Sequence, residues 1–348
     1  MAAPEGVALV ASPAVSIVCP AYNEAAGIEA AIGRLRECLD GLPMAVEVLL
    51  INDGSTDGTV AAAARAINGD ARFRILSHHV NFGRGRAMRT GFLEARGAII
   101  ITTEADLSWG ADVIVRMIEA FERDPRLDAV FASPHLDGGG YRNVPWHRIF
   151  LSRLGNRFLR ALYPSKISMT TGMTRAYRAH AIQGHMFSKD GKELHLEIAH
   201  RLMTLGYRIG EVPAVLSWPE RADARKNRGG RTTWKTIQRL IVSHLAYGFL
   251  QGISRIVAPA IVLLTLAIGG FGVWAVWNFM IGGPSIFLVM LTGVLLLLWT
   301  TLVVGYFLLV HVSQVETDLW RVQHALARDD RANDADRRRY YAEEPTLP

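Results

Sequence analysis

Between Ile256 and Val310 the chain carries no Asp, Glu, Lys or Arg. A hydrocarbon layer about 30 Å thick takes about 20 helical residues per crossing, so this stretch is long enough for two. Ile256–Met280 and Ser285–Val310 are the expected crossings, and Gly282-Gly-Pro284 reads as the tight turn of a hairpin. Basic residues flank the pair at Arg255 and Arg321 and none lies in the turn, so the positive-inside rule puts both flanks in the cytosol. Trp274, Trp277, Trp299 and Tyr306 are candidate interfacial anchors. A hairpin buried in a soluble protein shares the apolarity but rarely such length without a charge. The stretch also explains a composition that is 50% hydrophobic and only 20% charged. A formal net charge of +6 is mild; it suits contact with anionic lipid or phosphate groups and does not indicate nucleic acid. The two cysteines, Cys19 and Cys38, imply no disulfide framework. Met1–Pro13 lacks the basic start and apolar core of a signal peptide, so the front of the chain is expected to stay in the cytosol.

Ahead of the hairpin the pattern changes. Val15–Pro20 and Val46–Ile51 read as strands, Phe73–Leu76 as a weaker one, and Asp128–Ser133 as another. Three consecutive isoleucines in Ala98-Ile-Ile-Ile-Thr-Thr-Glu-Ala-Asp106 predict a strand covered on both faces. Helices are expected over Ala25–Leu39, from the turn at Asn52–Thr59 through Ala66, from Asn81 to Arg96, and over Asp112–Arg123. Ser55, Thr56 or Asp57 can cap the second of these. This alternation predicts the α/β class, a mostly parallel sheet with helices on both faces. Polar residues collect at one end of its strands: Tyr22, Asn23 and Glu24, then Asn52 and Asp53, then Glu104 and Asp106. Ligands of open parallel sheets bind beyond that end. Paired carboxylates there suit a hard divalent cation, and the glycine-flanked helix start at Asn81-Phe-Gly-Arg-Gly-Arg86 suits phosphate. Taken singly, the acid pair reads equally well as a solvated surface turn, and Asn52-Asp-Gly-Ser and Asn81-Phe-Gly read more readily as ordinary turns.

Together, Pro20-Ala-Tyr-Asn-Glu24, Asn52-Asp-Gly-Ser-Thr-Asp-Gly-Thr59, Asn81-Phe-Gly-Arg-Gly-Arg-Ala87 with Gly91, and Thr103-Glu-Ala-Asp-Leu107 resemble, in order and spacing, the family 2 glycosyltransferases, whose fold is called GT-A. Thr171–Arg178, Leu194–Ile198, Tyr207–Pro213 and the basic Arg225–Gly230 narrow the likeness to the dolichol- and polyprenyl-phosphate sugar synthases. The resemblance implies inverting transfer of a sugar from a nucleotide-diphosphate sugar to polyprenyl phosphate, with Mg2+ or Mn2+ held by Asp106 and Glu104. It implies nucleotide contacts at Pro20, Tyr22, Glu24, Asp53, Gly83, Arg86, Glu104 and Ala105. Catalytic roles fall to Asp106, Arg148 and Lys226, and acceptor contacts to His135, Ser152, Arg175, Glu197 and Arg228. Two departures stand out. Glu104 occupies a place the family usually gives to Asp, and Ala132-Ser-Pro-His135 lacks the usual arginine, which leaves His135 or Arg142 to replace it.

Leu136–Tyr141 is a glycine-rich loop, and Pro145–Leu162 reads as a helix whose Arg153, Arg157 and Arg160 share a face. That face suits either a lipid phosphate or anionic headgroups in general. Arg221–Arg239 is dense in Arg and Lys, fitting a loop that folds over a diphosphate, headgroup binding, or both. Trp234–Ser254 has the spacing of an amphipathic interface helix. The expected organisation is a cytosolic GT-A domain over 1–230, the interface helix over 231–255, two membrane helices over 256–311 and a charged cytosolic tail over 312–348. The expected setting is the cell (inner) membrane, with homo-oligomers packed through the hairpin. Two other readings keep parts of this picture: transfer to a glycan or glycolipid hydroxyl, and a non-catalytic nucleotide-sugar-binding membrane protein.

Overall fold

A computed structural model describes residues 13–146, 149–150, 152–153, 156, 167–183, 185–218, 234–283 and 286–342, with backbone alone over 234–256, 324–325 and 327–342. The strands are β1 (Val15–Ala21), β2 (Val46–Asn52), β3 (Phe73–Ser77), β4 (Ile99–Thr102), β5 (Ala129–Ser133), β6 (Gly140–Arg142), β7 (Arg175–Arg178), β8 (Ile209–Pro213) and β9 (Val215–Ser217). The helices are α1 (Ile28–Asp40), α2 (Thr59–Ile67), α3 (Arg84–Glu94), α4 (Asp112–Arg123), a short α5 (Ala179–Ile182), α6 (Leu194–Thr204), α7 (Trp234–Gly282) and α8 (Ile286–Ala342).

Seven strands form one sheet in the order β3-β2-β1-β4-β7-β5-β8, and β6 pairs with β9 apart from it. The sheet is parallel except for β7, which runs antiparallel to both β4 and β5. It is the mostly parallel α/β sheet that the strand–helix alternation predicts. Alternating side chains go to opposite cores. Ile17, Val48, Leu50 and Ile101 pack under α1, α2 and α4. Val18, Leu49, Ile51 and Ile100 pack under α3 and α6 with Met88, Phe92, Phe131 and Tyr177. The isoleucine run thus feeds both cores, as a doubly covered strand requires. The chain steps outward from β1 to β2 and β3, then returns to lay β4 on the other side of β1. The crevice beyond β1 and β4 is therefore the switch point where such sheets bind ligands.

The expected interface helix and first crossing are one continuous helix, α7, with Pro259 inside it, and the expected second crossing and tail are continuous in α8. Within them Val257–Gly282 and Ile286–Gln323 are long and apolar enough to span a bilayer. Leu263, Leu266, Trp277, Phe287 and Leu297 on these helices are exposed, a surface that only lipid or another apolar partner covers. The Trp299 Nε1–H donates to Thr265 Oγ1 at 2.7 Å and ties the two helices together. Trp320, past the midpoint of α8, packs against α6, so this part of α8 lies on the side of the α/β domain.

Candidate active site

The loops after β1 and β2 are stitched to each other. Asn23 takes φ +57°, its N–H donates to Ser55 Oγ at 3.0 Å, and its Oδ1 accepts from Thr56 N at 2.9 Å. Glu24 N donates to Thr59 Oγ1 at 2.8 Å. Asp57, one of the expected caps, accepts from Thr59 N at 3.0 Å and also reaches across to Ala25 N. These bonds fix where Tyr22 and Glu24 stand on the rim. Tyr22 is 40% exposed and Phe82, on the neighbouring loop, 52%, so two aromatic faces are open to a ligand. The Arg86 guanidinium sits 5.8 Å from the Phe82 ring centre.

Glu104 and Asp106 point to the rim and not into the core. Glu104 is part-buried; its Oε1 meets Arg84 Nη1 at 3.3 Å and its Oε2 accepts from Ser108 Oγ. Asp106 is exposed, and among the described residues its carboxylate accepts from Ser108 N, at 2.9 Å. Its backbone carbonyl accepts from Arg34 Nη2 at 2.9 Å, a brace from α1 that no motif announced. Glu24 faces the same acids. Its carboxyl is pushed up to about 7, first by burial and next by repulsion from Asp106, with Asp57 and Glu104 adding and Arg84 opposing. The rim thus gathers more negative charge than Arg84 offsets. Among the described residues no three His, Cys, Asp or Glu side chains form a metal cage. Mg2+ and Mn2+ in phosphate sites need none, because one or two carboxylates and the substrate's own oxygens complete the shell. An exposed Asp106 beside Glu104 fits that donor set.

Several expected contacts are corrected. Asp53 is 2% exposed and spends its carboxylate on the protein, accepting from Phe82 N at 3.1 Å, Gly83 N at 2.8 Å and His78 Nδ1 at 2.8 Å. It shapes the loop before α3 and is turned into the protein. The start of α3 is also occupied: the Asp190 carbonyl accepts from Gly85 N at 2.7 Å and Arg86 N at 3.3 Å. Gly83 has φ +101°, and a Cβ would stand 2.5 Å from the Asp190 oxygen; at Gly85 it would stand 2.6 Å from that of Lys189. The two glycines therefore serve the close approach of 189–190. Pro20 and Ala105 are buried and shape the crevice floor.

On the acceptor side, Arg175 is 1% exposed, donates to the His195 carbonyl at 2.8 Å and to Thr170 O, and lies 4.1 Å from the Phe131 ring centre. Glu197 is equally interior, accepting from Ser188 N and Lys189 N at 3.1 Å and Arg201 Nη2 at 3.0 Å. Both charges are held by the fold, because a buried charge needs a full set of partners. The acceptor contacts expected of them are withdrawn. His135 and Ser152 do come together, through Tyr141: its hydroxyl is 3.3 Å from His135 Nε2, and burial pushes that hydroxyl's pKa up, with Ser152 and Arg153 opposing only in part. Tyr141 carries no sequence signal beyond its place after three glycines. Arg142 is exposed beside them. Arg148, Lys226 and Arg228 lie outside the described residues.

A switch-point crevice lined with acids, aromatic faces and arginine, on this sheet, suits a nucleotide-like ligand. Residues 16–185 match the profile "Glycosyl transferase family 2". The chain is 28% identical over 204 residues to polyprenol monophosphomannose synthase of Mycolicibacterium smegmatis, covering 57% of this chain and 75% of the relative. It is 29% identical over 221 residues to undecaprenyl-phosphate mannosyltransferase of Micrococcus luteus, covering 62% and 88%. With undecaprenyl-phosphate 4-deoxy-4-formamido-L-arabinose transferase of Aeromonas hydrophila it shares 32% identity over 170 residues, and spans half of that relative's length. Glucosyl-3-phosphoglycerate synthase from Mycobacterium tuberculosis, solved with Mn2+, UDP and phosphoglyceric acid, shares the fold, with a TM-score of 0.51 at 18% identity over 68% of this chain and 78% of that one. The family match spans residues 16–185, just under half of the chain, and with these relatives it marks the chain as a glycosyltransferase.

Proposed function

We propose that this enzyme moves a sugar from a nucleotide-diphosphate sugar to a polyprenyl phosphate at the cytosolic face of the cell membrane, which its hairpin spans. The observation that carries the reading is the joining of an acid-rich switch-point crevice to two lipid-facing helices in one chain. The relatives named for polyprenyl or undecaprenyl phosphate support the acceptor class. Homo-oligomers packed through the hairpin belong to the same proposal.

Asp106, with Glu104 beside it, would hold Mg2+ or Mn2+, which when bound would supply positive charge to the departing diphosphate. Asp53 fixes the loop that presents Phe82 and Arg86, and Tyr22 and Phe82 offer faces to the base. Arg84 pairs with Glu104, and its charge supports phosphate binding beside that acid. The acceptor phosphate is ionised at neutral pH, so its oxygen attacks the anomeric carbon without a strong general base. The new C–O bond forms as the bond to the diphosphate breaks, the nucleoside diphosphate departs, and the anomeric carbon inverts. His135, Tyr141, Ser152 and Arg153 form the patch that receives the acceptor phosphate, with Arg148, Lys226 and Arg228 as its expected basic partners.

The test incubates the purified full chain in detergent or vesicles with Mn2+, a polyprenyl phosphate and a panel of labelled nucleotide sugars. A lipid-linked sugar that disappears in Asp106→Ala is the expected result. No such product with any donor, under conditions where a polyprenol-phosphate mannose synthase works, overturns the proposal.

A further inference from the structure

We propose that the extension of α8 beyond Val310 is a strap that supports the donor side of the crevice, and that Trp320 is its positioning residue. The inference rests on reading the loop before α3 as the nucleotide side. At about 1.5 Å per residue, α8 reaches Trp320 about 51 Å from Ile286, well past a hydrocarbon layer of about 30 Å. Yet Trp320 is only 4% exposed, because the α/β domain covers it. Its ring stands edge-on to His200, 5.4 Å between centres, and the Arg201 guanidinium lies 4.7 Å from its centre. Glu316, one turn earlier on α8, is within electrostatic range of Arg201, Glu197 and Lys189.

From Arg201 the contacts lead straight to the crevice. The same guanidinium lies 5.2 Å from the Phe187 ring centre and pairs with Glu197 at 3.0 Å. Glu197 gathers Ser188 N, Ser188 Oγ and Lys189 N, which sets the course of 187–190. That segment carries the Asp190 carbonyl that accepts from Gly85 N and Arg86 N. Arg89 clamps it from α3 by donating to Phe187 O and Asp190 Oδ1. On its other flank the loop hangs on Asp53. The donor loop thus has two supports, one inside the sheet and one that runs through 187–201 to the membrane helix. A helix that served only as an anchor needs none of these contacts. Placing Trp320 between Arg201 and His200 restricts the rotamers of Arg201, and with them the Glu197 pair that fixes 187–190.

The experiment reads hydrogen exchange in the full chain in detergent, without substrate, so that failure to find a lipid-linked product does not decide it. In Trp320→Ala, exchange over 81–89 and 187–193 rises about tenfold, equal to about 1.4 kcal/mol of local stability, while β1 and β2 keep their protection. Trp320→Phe restores protection, and Arg201→Lys, which keeps the charge but loses the flat stacking surface, reproduces part of the rise. In transfer assays Trp320→Ala raises KM for the nucleotide sugar and leaves KM for the lipid acceptor unchanged. The proposal is overturned by unchanged exchange over 81–89 and 187–193, or by a rise spread equally over β1 and β2. The second result makes Trp320 a general stabiliser with no special tie to the donor loop.

Discussion

Asp53→Asn separates a residue that holds the donor loop from one that reads the base. The wild-type carboxylate accepts three hydrogen bonds, from Phe82 N, Gly83 N and His78 Nδ1, at 3.1, 2.8 and 2.8 Å. An amide keeps one acceptor. With its oxygen toward Gly83 N, its nitrogen faces Phe82 N and His78. The imidazole adapts by exchanging tautomer, because its Nε2 lies 3.0 Å from Thr90 Oγ1, which both donates and accepts. Phe82 N does not adapt and loses its partner. An orphaned donor costs about 1–3 kcal/mol, and water beside the exposed Phe82 brings this to the lower half of that range. Asp53→Ala orphans all three donors, for about 3 kcal/mol at the same low rate. For a domain of this size each kcal/mol moves the midpoint by about 2–4 °C, so Asp53→Asn falls by about 2–8 °C and Asp53→Ala by about 6–12 °C. Thermal unfolding of the full chain in detergent at one fixed scan rate measures both. If both variants unfold with the wild type while nucleotide affinity drops, Asp53 reads the base and its assignment to the loop is wrong.

Asp106→Ala, in the transfer assay at saturating Mn2+, is expected to lose about 10²–10³-fold in rate, the usual cost of removing one main electrostatic support; near-normal turnover refutes its role. Arg175→Lys keeps the charge but cannot fork to His195 O and Thr170 O, and unfolding should show a loss of about 2–4 kcal/mol with little change in acceptor KM; a selective rise in acceptor KM would restore Arg175 to the acceptor site. His200 is held at about 4, against an ordinary 6.5, first by burial and then by the nearby Arg201 charge. Between these values the unfolded chain binds a proton that the folded one does not, so stability present above pH 6.5 is lost as the pH falls toward 4. His200→Gln should flatten that slope in thermal unfolding scans between pH 7 and 5, and an unchanged slope assigns it to another group.

Local sequence was enough for the elements whose signal is periodic. The alternation in Val15–Ala21 and Val46–Asn52, and the isoleucines of β4, specify strands because side chains on a pleat must suit two faces at once. The crevice followed from the same strands, since polar residues that end them in sequence also meet in space. Long-range pairing left no such mark. Nothing in Arg175–Arg178 says that it slots antiparallel between β4 and β5, because that place is set by which edges stay open after the parallel strands pair. Arg175 and Glu197 read as surface charges from their chemistry; the fold buries them by supplying carbonyls, amides and a counter-ion from distant segments. Gly83 and Gly85 read as phosphate-loop glycines, yet their missing side chains make room for the 189–190 backbone. The membrane hairpin was written in composition alone, since lipid rewards apolarity residue by residue. The destination of α8 was not: Trp320 finds its partners on α6, more than a hundred residues earlier in the chain. A contact of that kind depends on the shapes of both surfaces, and only the assembled structure brings them together.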